Sequence, residues 1–296
     1  MALNIVLTDC STVTANDLDL TSLERFGKVT YYPETAPEQT AERIKDADVV
    51  VLNKTVLGKN ELDAAKNLKL IALFATGYNN IDVAYAREKG ITVCNAGSYS
   101  TSAVAQQVFA YILNHASKVA DYDRDVKDGA WIRSRLFCFF SRPTEELAGK
   151  TLGIFGYGAI GKRVAAIAKA FEMRVIVTTR TPQLDSSVEF VDFDTLLCES
   201  DYLSVNCPLN EGTREKFNAD AFSKMKKGAY FINTARGAHI DEEALVKALK
   251  TGEIAGAAMD VYEHEPQIHP ELLTLDNVVL SPHTGTGTWE GRIAMC

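Results

Sequence analysis

A glycine-rich turn between an apolar segment and a helix-like segment constrains this chain more than any other feature of its sequence. The turn carries the G-x-G-x-x-G pattern at Gly156, Gly158 and Gly161, directly after the apolar segment 152–155. In this context the glycines permit a tight turn, a close approach of a pyrophosphate to the backbone, and close packing of the helix on the strand. The first N–H groups of the helix then point at the phosphates. The sequence therefore predicts a dinucleotide site. Its predicted cofactor-binding residues are Gly156, Gly158, Ala159, Ile160 and Gly161.

Short apolar segments alternate with helix-like segments along the whole length of 296 residues. In the first third of the chain they lie at residues 5–7, 29–31, 49–52, 70–73 and 91–94. In the second half they lie at residues 152–155, 175–178, 190–191, 202–205, 230–232, 257–261 and 278–280. Strands that alternate with helices form parallel sheets, and a chain of this length exceeds what one hydrophobic core normally serves. The predicted fold is α/β, with two doubly wound parallel-sheet domains: a Rossmann-type nucleotide domain and a smaller flavodoxin-like domain.

The chain passes from one predicted domain to the other near residue 99 and returns near residue 284. The dinucleotide-binding domain is predicted over residues 99–283, and the substrate domain over residues 1–98 with residues 284–296. A helix predicted from Ser102 to Val119, with its apolar residues on one face, connects them. The stretch 129–150 is rich in arginine and aromatic residues. Three interpretations stay open for it: cover over a cleft, a subunit contact, or a surface loop held down by its aromatic rings.

The charge and the cysteine pattern exclude several classes of function. The net charge of −8 and the absence of a long basic run argue against a nucleic-acid partner. No apolar stretch approaches membrane-spanning length and no basic segment opens the chain, so a cytoplasmic protein with no membrane partner is expected. The six cysteines show no C-x-x-C spacing, which favours reduced thiols and predicts no metal site.

The residues after the second strand of the nucleotide domain bear on the choice of cofactor. In this fold an acidic residue usually stands there and accepts hydrogen bonds from the ribose of NAD. Here Thr179 and Arg180 occupy the place, and Asp185 is the nearby acid, in the next loop. Hydroxyl groups and a guanidinium can bind a 2′-phosphate that a carboxylate would repel. The pattern favours NADP over NAD; the alternative is that Arg180 faces solvent and either cofactor binds.

Three polar segments each follow a predicted strand in the second half of the chain, and they contain Arg236, Glu265 and His283. Since the carboxyl ends of parallel strands line the ligand crevice, we expect these side chains to share one site. A guanidinium can grip a carboxylate and polarise the adjacent carbonyl, and an imidazole held by a carboxylate can transfer a proton. This set suits the reduction of a 2-oxo acid, with Glu263 as a less favoured partner of the imidazole. The remaining histidines, predicted to be helix, loop or surface residues, are His115, His239, His264 and His269.

The glycine turn and these segments together resemble the D-isomer-specific 2-hydroxyacid dehydrogenases, over nearly the whole chain. The resemblance implies that Arg236 binds the substrate, that Glu265 pairs with His283, and that His283 is the acid/base. It also implies that Asp260 lies near the nicotinamide, as does the start of the connecting helix at Thr101.

The same resemblance places substrate contacts in the first domain. The loop 74–82 resembles the family's loop whose backbone N–H groups hold the substrate carboxylate, and Lys54 follows a strand that faces the same cleft. The predicted substrate-binding residues are Lys54, Thr76, Gly77 and Arg236. The predicted cofactor-binding residues outside the glycine turn are Thr101, Thr179, Arg180, Cys207, Pro208 and Asp260.

Within the family, residues 76–80 and 102–106 look most like glycerate dehydrogenases, also called hydroxypyruvate reductases. This implies reduction of hydroxypyruvate or glyoxylate to the D-2-hydroxy acid with NAD(P)H, by a homodimer. Members of the family continue into a last helix that packs on the substrate domain, whereas this sequence ends at Cys296.

Two other functions fit the same residues. Corepressors that resemble this family keep the fold, so a nicotinamide-sensing interaction protein is one alternative. A dehydrogenase of another small anion such as phosphite is the second, because Arg236 would bind that anion too. The motifs do not select the acid on which an enzyme of this kind acts.

Overall fold

Twelve strands form two parallel sheets in the residues that the computed structural model describes, 2–296. The chain divides into two units. The first unit is Met1–Ser100 with Gly287–Cys296, and the second is Thr101–Thr286. The predicted α/β fold with two doubly wound parallel sheets is confirmed.

The first unit is built on a five-stranded sheet. Its strands are β1 (Leu3–Leu7), β2 (Gly27–Tyr31), β3 (Val49–Leu52), β4 (Leu70–Leu73) and β5 (Thr92–Cys94). They run in the order β2-β1-β3-β4-β5, the flavodoxin-like order. The helices between them are α1 (Pro37–Ile44), α2 (Lys59–Ala64) and α3 (Val83–Glu88). Val50 and Leu52 of the central strand are fully buried, as expected for a parallel sheet covered on both faces.

The second unit is built on a seven-stranded sheet. Its strands are β6 (Thr151–Phe155), β7 (Arg174–Thr178), β8 (Glu189–Phe190), β9 (Tyr202–Val205), β10 (Tyr230–Asn233), β11 (Gly256–Met259) and β12 (Val278–Leu280). The order β12-β11-β10-β9-β6-β7-β8 is that of a nucleotide-binding sheet, with its topological switch between β6 and β9. Side chains alternate between two cores: Phe231 packs into one, and Tyr230 and Ile232 pack into the other.

The helices of the second unit are α4 (Thr101–Ser117), α5 (Val119–Lys127), α6 (Ala130–Ser134), α7 (Ala159–Ala170), α8 (Phe193–Glu199), α9 (Ala219–Lys224) and α10 (Glu242–Thr251). The helices α5 and α6 bury no residue, and the others pack into the two cores that flank the sheet. The predicted helix 102–119 is wrong at its end, because Lys118 takes a left-handed conformation, with φ 53°, and separates α4 from α5. One left-handed residue breaks the helical hydrogen-bond ladder, and apolar periodicity alone does not reveal it.

The segment that returns to the first unit begins at Gly287 rather than at residue 284. Thr284 and Gly285 remain with the second unit because their backbone N–H groups donate to the Asp260 carboxylate, at 2.9 and 2.8 Å. The helix α11 (Trp289–Met295) then packs on the first unit. Its Arg292 forms a bidentate ion pair with Asp17, with N–O distances of 2.6 and 2.7 Å.

Within residues 2–296, no helix is both long enough and apolar enough to span a bilayer. In the same residues, no group of three or more histidine, cysteine, aspartate or glutamate side chains is arranged to hold a metal ion.

Candidate active site

The glycine turn after β6 has the backbone shape that its sequence predicts. Gly156 has φ +104°, and a Cβ placed on it would lie 2.7 Å from the Cβ of Cys207. A Cβ on Gly161 would lie 2.2 Å from the carbonyl oxygen of Gly156. Both positions exclude a side chain, so the helix packs directly on the turn.

Gly158 differs from its two neighbours, because a Cβ there would meet no protein atom within 4 Å. It is the N-cap of α7, and no side chain caps that helix. The backbone N–H groups of Ala159 and Ile160 therefore lie at an uncapped helix N-terminus beside open space. Such a terminus binds an anion through its N–H groups and the helix dipole. The turn thus fits a dinucleotide pyrophosphate.

The other side of the switch point is formed by residues that follow β9. Cys207 is half-buried against the glycine turn, and burial raises the pKa of its thiol to about 12. Pro208 is exposed beside it. Two buried polar atoms nearby have no hydrogen-bond partner among the described residues: Oδ1 of Asn206 and Oγ1 of Thr234. They follow the paired residues Val205 and Asn233 of β9 and β10. Because buried polar atoms are normally paired, these two suit a polar ligand at the sheet edge.

The end of β7 carries the residues on which the cofactor prediction depends. Thr178 donates its hydroxyl to the carbonyl groups of Val191 and Asp192, whereas Thr179 is half-buried and Arg180 is exposed. The carboxylate of Asp185 accepts hydrogen bonds from the Tyr157 hydroxyl, at 2.7 Å, and from Ser187.

The pKa values of Asp185 and Tyr157 are shifted in opposite directions. Hydrogen bonds from Ser187 and Tyr157 lower the pKa of Asp185 to about 2. Burial and the bond to Asp185 raise the pKa of Tyr157 to about 12. Asp185, the first acidic residue after β7 in the sequence, is therefore already engaged with Tyr157 of the glycine turn.

A histidine and a carboxylate meet after β11 and β12, which are adjacent strands. Nδ1 of His283 lies 2.7 Å from Oε2 of Glu265, and the other oxygen of Glu265 accepts the backbone N–H of Tyr262 at 3.0 Å. The side chain of His283 is 21% exposed. Because Nδ1 faces the carboxylate, it carries a proton and Nε2 is left for a ligand. Glu263 instead lies 3.8 Å from Arg214.

Asp260 organises the loop that carries His283. Its carboxylate is 2% exposed and accepts hydrogen bonds from the Ser281 hydroxyl at 2.5 Å and from the N–H groups of Thr284 and Gly285. The Ser281 hydroxyl is also hydrogen-bonded to Tyr111 of α4. These partners flank His283 on both sides along the chain, so Asp260 holds the loop around it. Its predicted contact with the nicotinamide stays a prediction.

Arg236 follows β10 in a turn shaped by the buried Asn233. The side-chain amide of Asn233 donates to the carbonyl of Arg236 at 2.8 Å and accepts the N–H of Ala235 at 3.0 Å. The guanidinium is half-buried and donates to the carbonyl of Ala235 at 2.6 Å. The register pairs Asn233 with Met259, and Met259 with Leu280. The segments that carry Arg236, Glu265 and His283 therefore leave one edge of the sheet from three adjacent strands.

The predicted substrate residues of the first unit lie on loops that are tied together. The hydroxyl of Thr76 donates to the carbonyl of Gly97 at 2.6 Å, and Asn80 donates to the carbonyl of Thr55 at 2.8 Å. Gly77 lies between them, and Lys54 is exposed after β3. The three loops follow β3, β4 and β5, which are neighbouring strands. Lys54, Thr76 and Gly77 thus share the carboxyl edge of this sheet.

Asp9 supports the first of these loops, and sequence reasoning missed it. Its buried carboxylate accepts backbone N–H groups from Asn53, Lys54 and Thr55, at 2.9, 2.6 and 2.7 Å, and the hydroxyl of Thr55. An aspartate two residues after β1 signals only a turn in the sequence. The pairing spans more than forty residues, so no local pattern could have shown it.

The chain is similar to known proteins along most of its length. The family model for the NAD binding domain of the D-isomer specific 2-hydroxyacid dehydrogenases matches residues 109–285. A hydroxypyruvate reductase of Thermotoga maritima is 42% identical over 254 residues, which are 84% of this chain and 81% of that protein.

Two solved structures share the fold over both units' lengths. The NADPH-dependent glyoxylate/hydroxypyruvate reductase of Sinorhizobium meliloti, in complex with NADP and malonate, matches with a TM-score of 0.86 and 28% identity, over 100% of this chain and 90% of that one. The D-lactate dehydrogenase of Aquifex aeolicus, complexed with NAD and lactic acid, gives 0.88 and 28%, over 99% and 92%. With its nucleotide turn and its paired glutamate and histidine, this chain belongs to the D-isomer specific 2-hydroxyacid dehydrogenase family.

Proposed function

We propose that this protein reduces a small 2-oxo acid, of the hydroxypyruvate and glyoxylate class, to the D-2-hydroxy acid. The observation that carries the proposal is the contact of 2.7 Å between His283 and Glu265, on the sheet edge that also bears Arg236. The related Thermotoga and Sinorhizobium proteins are named for these substrates. A reduced nicotinamide, when bound, supplies the hydride that forms the new C–H bond.

The chain's own groups supply the rest of the reaction. The guanidinium of Arg236 binds the substrate carboxylate and polarises the carbonyl. As hydride reaches the carbonyl carbon, Nε2 of His283 gives its proton to the carbonyl oxygen, which becomes the hydroxyl of the product. Glu265 stabilises the imidazolium before the transfer and holds the ring in place. We assign substrate binding in the first unit to Lys54, Thr76 and Gly77.

A spectrophotometric assay tests this proposal, with NADH or NADPH against hydroxypyruvate, glyoxylate, pyruvate and phenylpyruvate. We expect turnover of hydroxypyruvate or glyoxylate. The variants His283→Gln and Arg236→Ala should each lower kcat/KM by about 10²–10⁴-fold while nucleotide binding is kept. His264→Gln is the matched control, because this histidine side chain is 80% exposed and should leave kcat unchanged. Loss of nucleotide affinity in both site variants would contradict the assigned roles.

We propose NADP as the preferred cofactor. Three features support it: no carboxylate follows β7 directly, Arg180 is exposed there, and Asp185 is engaged with Tyr157 and Ser187. An exposed guanidinium can bind a 2′-phosphate in a bidentate manner. Arg180→Ala should then raise KM for NADPH about tenfold and leave KM for NADH within twofold. A strong preference of the unmodified protein for NADH would overturn this proposal.

We propose that the protein is a homodimer that uses the stretch 131–140. Large apolar side chains are exposed there, including Ile132 at 83%, Phe137 at 93% and Phe140 at 86%. Exposed apolar clusters of this kind normally mark an interface between proteins. Sedimentation of the unmodified chain should give a dimer, and Phe137→Asp with Phe140→Asp should give a monomer. A monomeric unmodified chain at micromolar concentration would exclude this.

A further inference from the structure

One fully buried histidine has no part in the proton transfer described above. His239 closes the short 3-10 turn Gly237–His239 that follows Arg236, and it is 0% exposed. Both of its ring nitrogens have partners. Nδ1 lies 3.0 Å from the carbonyl oxygen of Arg236, and Nε2 lies 3.4 Å from Sγ of Cys207. The sequence predicted only a helix, loop or surface residue there, and so did not indicate its burial.

The two partners of His239 belong to different parts of the site. Cys207 follows β9 and lies against the glycine turn, where it occupies the space that a side chain on Gly156 would need. Arg236 follows β10 and carries the guanidinium assigned to the substrate. Cys207 and the glycine turn form one wall of the proposed nucleotide site, here called the nucleotide wall. The ring of His239 therefore joins the nucleotide wall to the backbone of Arg236.

The turn that holds His239 also rests on the segment that leads to Glu265. A Cβ on Gly237 would lie 1.9 Å from the carbonyl carbon of Tyr262 and 2.2 Å from the nitrogen of Glu263. Tyr262 is the residue whose N–H holds Glu265. A series of contacts within the second unit therefore connects Gly156, Cys207 and His239 to the segment that carries Glu265.

The chemistry of the pair is that of two neutral groups. A carbonyl oxygen only accepts, so Nδ1 carries a proton where it meets Arg236. Nε2 lies beside Sγ of Cys207, and the ring also has a hydrogen bond with the backbone of Pro208. Burial lowers the pKa of His239, although hydrogen bonds with the backbone of Arg236 and Pro208 oppose the shift. Burial also raises the pKa of the Cys207 thiol to about 12. A thiol that is not ionised is a poor nucleophile, so the pair serves structure rather than covalent catalysis.

We propose that His239 is a positioning residue that sets the substrate arginine turn against the nucleotide wall at Cys207. The inference rests on the proposed role of Arg236. It implies that the two ring nitrogens have separable effects: the Nδ1 contact governs the affinity for the 2-oxo acid, and the Nε2 contact governs the affinity for the nucleotide.

Two conservative variants separate these effects. In His239→Asn the amide nitrogen takes the place of Nδ1 and keeps the bond to Arg236, but it does not reach Cys207. In His239→Gln the amide reaches towards Cys207 and leaves the place of Nδ1 empty. His239→Asn should keep KM for hydroxypyruvate within twofold and raise the Kd for NADPH about fivefold, and His239→Gln should show the reverse pattern. His239→Leu should raise both about tenfold.

The nucleotide Kd is measured by fluorescence titration, which needs no turnover, and melting temperatures are recorded for every variant. His115→Leu is the matched control, because His115 is a half-buried histidine of the same unit that stacks on Tyr230. It should lose stability without a change in KM or Kd. A double-mutant cycle with Cys207→Ala should show that the two nucleotide effects are not additive.

Equal changes in KM and Kd for the Asn, Gln and Leu variants, in step with their melting temperatures, would overturn the proposal and leave His239 a packing residue. Wild-type constants in His239→Leu would do the same. Arg236→Ala distinguishes a failure of the proposed function from a failure of the positioning role alone. An unchanged KM in Arg236→Ala contradicts the proposed function itself, whereas a raised KM there with unaffected His239 variants contradicts only the positioning role.

Discussion

Glu265 uses both of its carboxylate oxygens, one for the N–H of Tyr262 and the other for Nδ1 of His283. The first contact fixes the carboxylate and the second fixes the imidazole. Since both partners donate, the site needs an acceptor at each oxygen. Aspartate, with its shorter side chain, cannot reach both partners at once, and an amide offers an acceptor at only one of the two positions.

Glu265→Gln is therefore expected to damage catalysis through the imidazole. If the amide oxygen keeps the N–H of Tyr262, the amide NH₂ faces Nδ1 of His283, which must then accept. The ring takes the opposite tautomer, and no negative charge stabilises its protonated form. We expect kcat for reduction to fall about 10²–10⁴-fold.

Steady-state kinetics and nucleotide titration check this prediction together. The Kd for the nucleotide should stay within twofold, because Tyr262 and His283, which Glu265 holds, lie outside the glycine turn. A kcat within twofold of the unmodified protein would show that the pair does not carry the proton transfer.

At the scale of elements, the strand β6, its glycine turn and the helix α7 form one unit in which each glycine has a distinct task. Gly156 and Gly161 let backbone segments approach one another, whereas Gly158 borders open space. The first two are needed for the packing of the fold, and the third borders the space that we assign to the pyrophosphate. The pattern G-x-G-x-x-G does not itself tell these tasks apart.

Alanine substitutions should separate stability from nucleotide binding. Gly156→Ala places a side chain at φ +104° and 2.7 Å from Cys207, so the free energy of unfolding should fall by about 2–4 kcal/mol. Gly158 has φ −82°, which alanine tolerates, and its Cβ would occupy the space assigned to the pyrophosphate. Gly158→Ala should keep the melting temperature and raise the Kd for the nucleotide at least tenfold.

Thermal melts without nucleotide and fluorescence titrations with it provide the two measurements. Gly158→Ala is the control for the loss of stability in Gly156→Ala, because the same substitution two residues away should leave the melting temperature unchanged. A wild-type Kd in Gly158→Ala would place the pyrophosphate elsewhere.

At the scale of the whole molecule, each unit is stabilised by its own cores, and one titratable group in the second unit makes its stability depend on pH. His115 of α4 stacks on Tyr230, with ring centroids 4.0 Å apart. Burial and, less strongly, the charge of Lys118 lower the pKa of His115 from 6.5 to about 4. The imidazole is thus held neutral inside the folded unit.

This shift sets the direction of the pH dependence. Between pH 6.5 and about 4 the unfolded chain binds a proton at His115 that the folded chain does not, so stability falls as the pH drops through this window. The loss should be on the order of 2 kcal/mol. His115→Phe keeps the ring stack and removes the titration, so its stability should fall less over the same window. Melting temperatures of both proteins from pH 7 to pH 4 measure the difference, and parallel curves would exclude His115 as the cause.

Much of this architecture could be read from local patterns in the chain. Short β-branched and apolar runs located every strand, because a strand buried on both faces needs such a run. The glycine turn and the polar residues after β10, β11 and β12 indicated a nucleotide and a 2-oxo acid, because parallel strands present their carboxyl ends at one edge. The break at Lys118 escaped prediction, since a single left-handed residue leaves the apolar periodicity on both sides intact.

The sequence by itself determined the fold class, the family and the candidate pair of Glu265 and His283, because each depends on neighbours along the chain. Only the tertiary structure decided which buried polar groups meet. Asp9 with the loop 53–55, Asp260 with Thr284 and Gly285, and His239 with Cys207 join residues that are far apart in sequence. A buried polar atom must find a partner wherever packing brings one within reach, and that choice is made in space rather than along the chain.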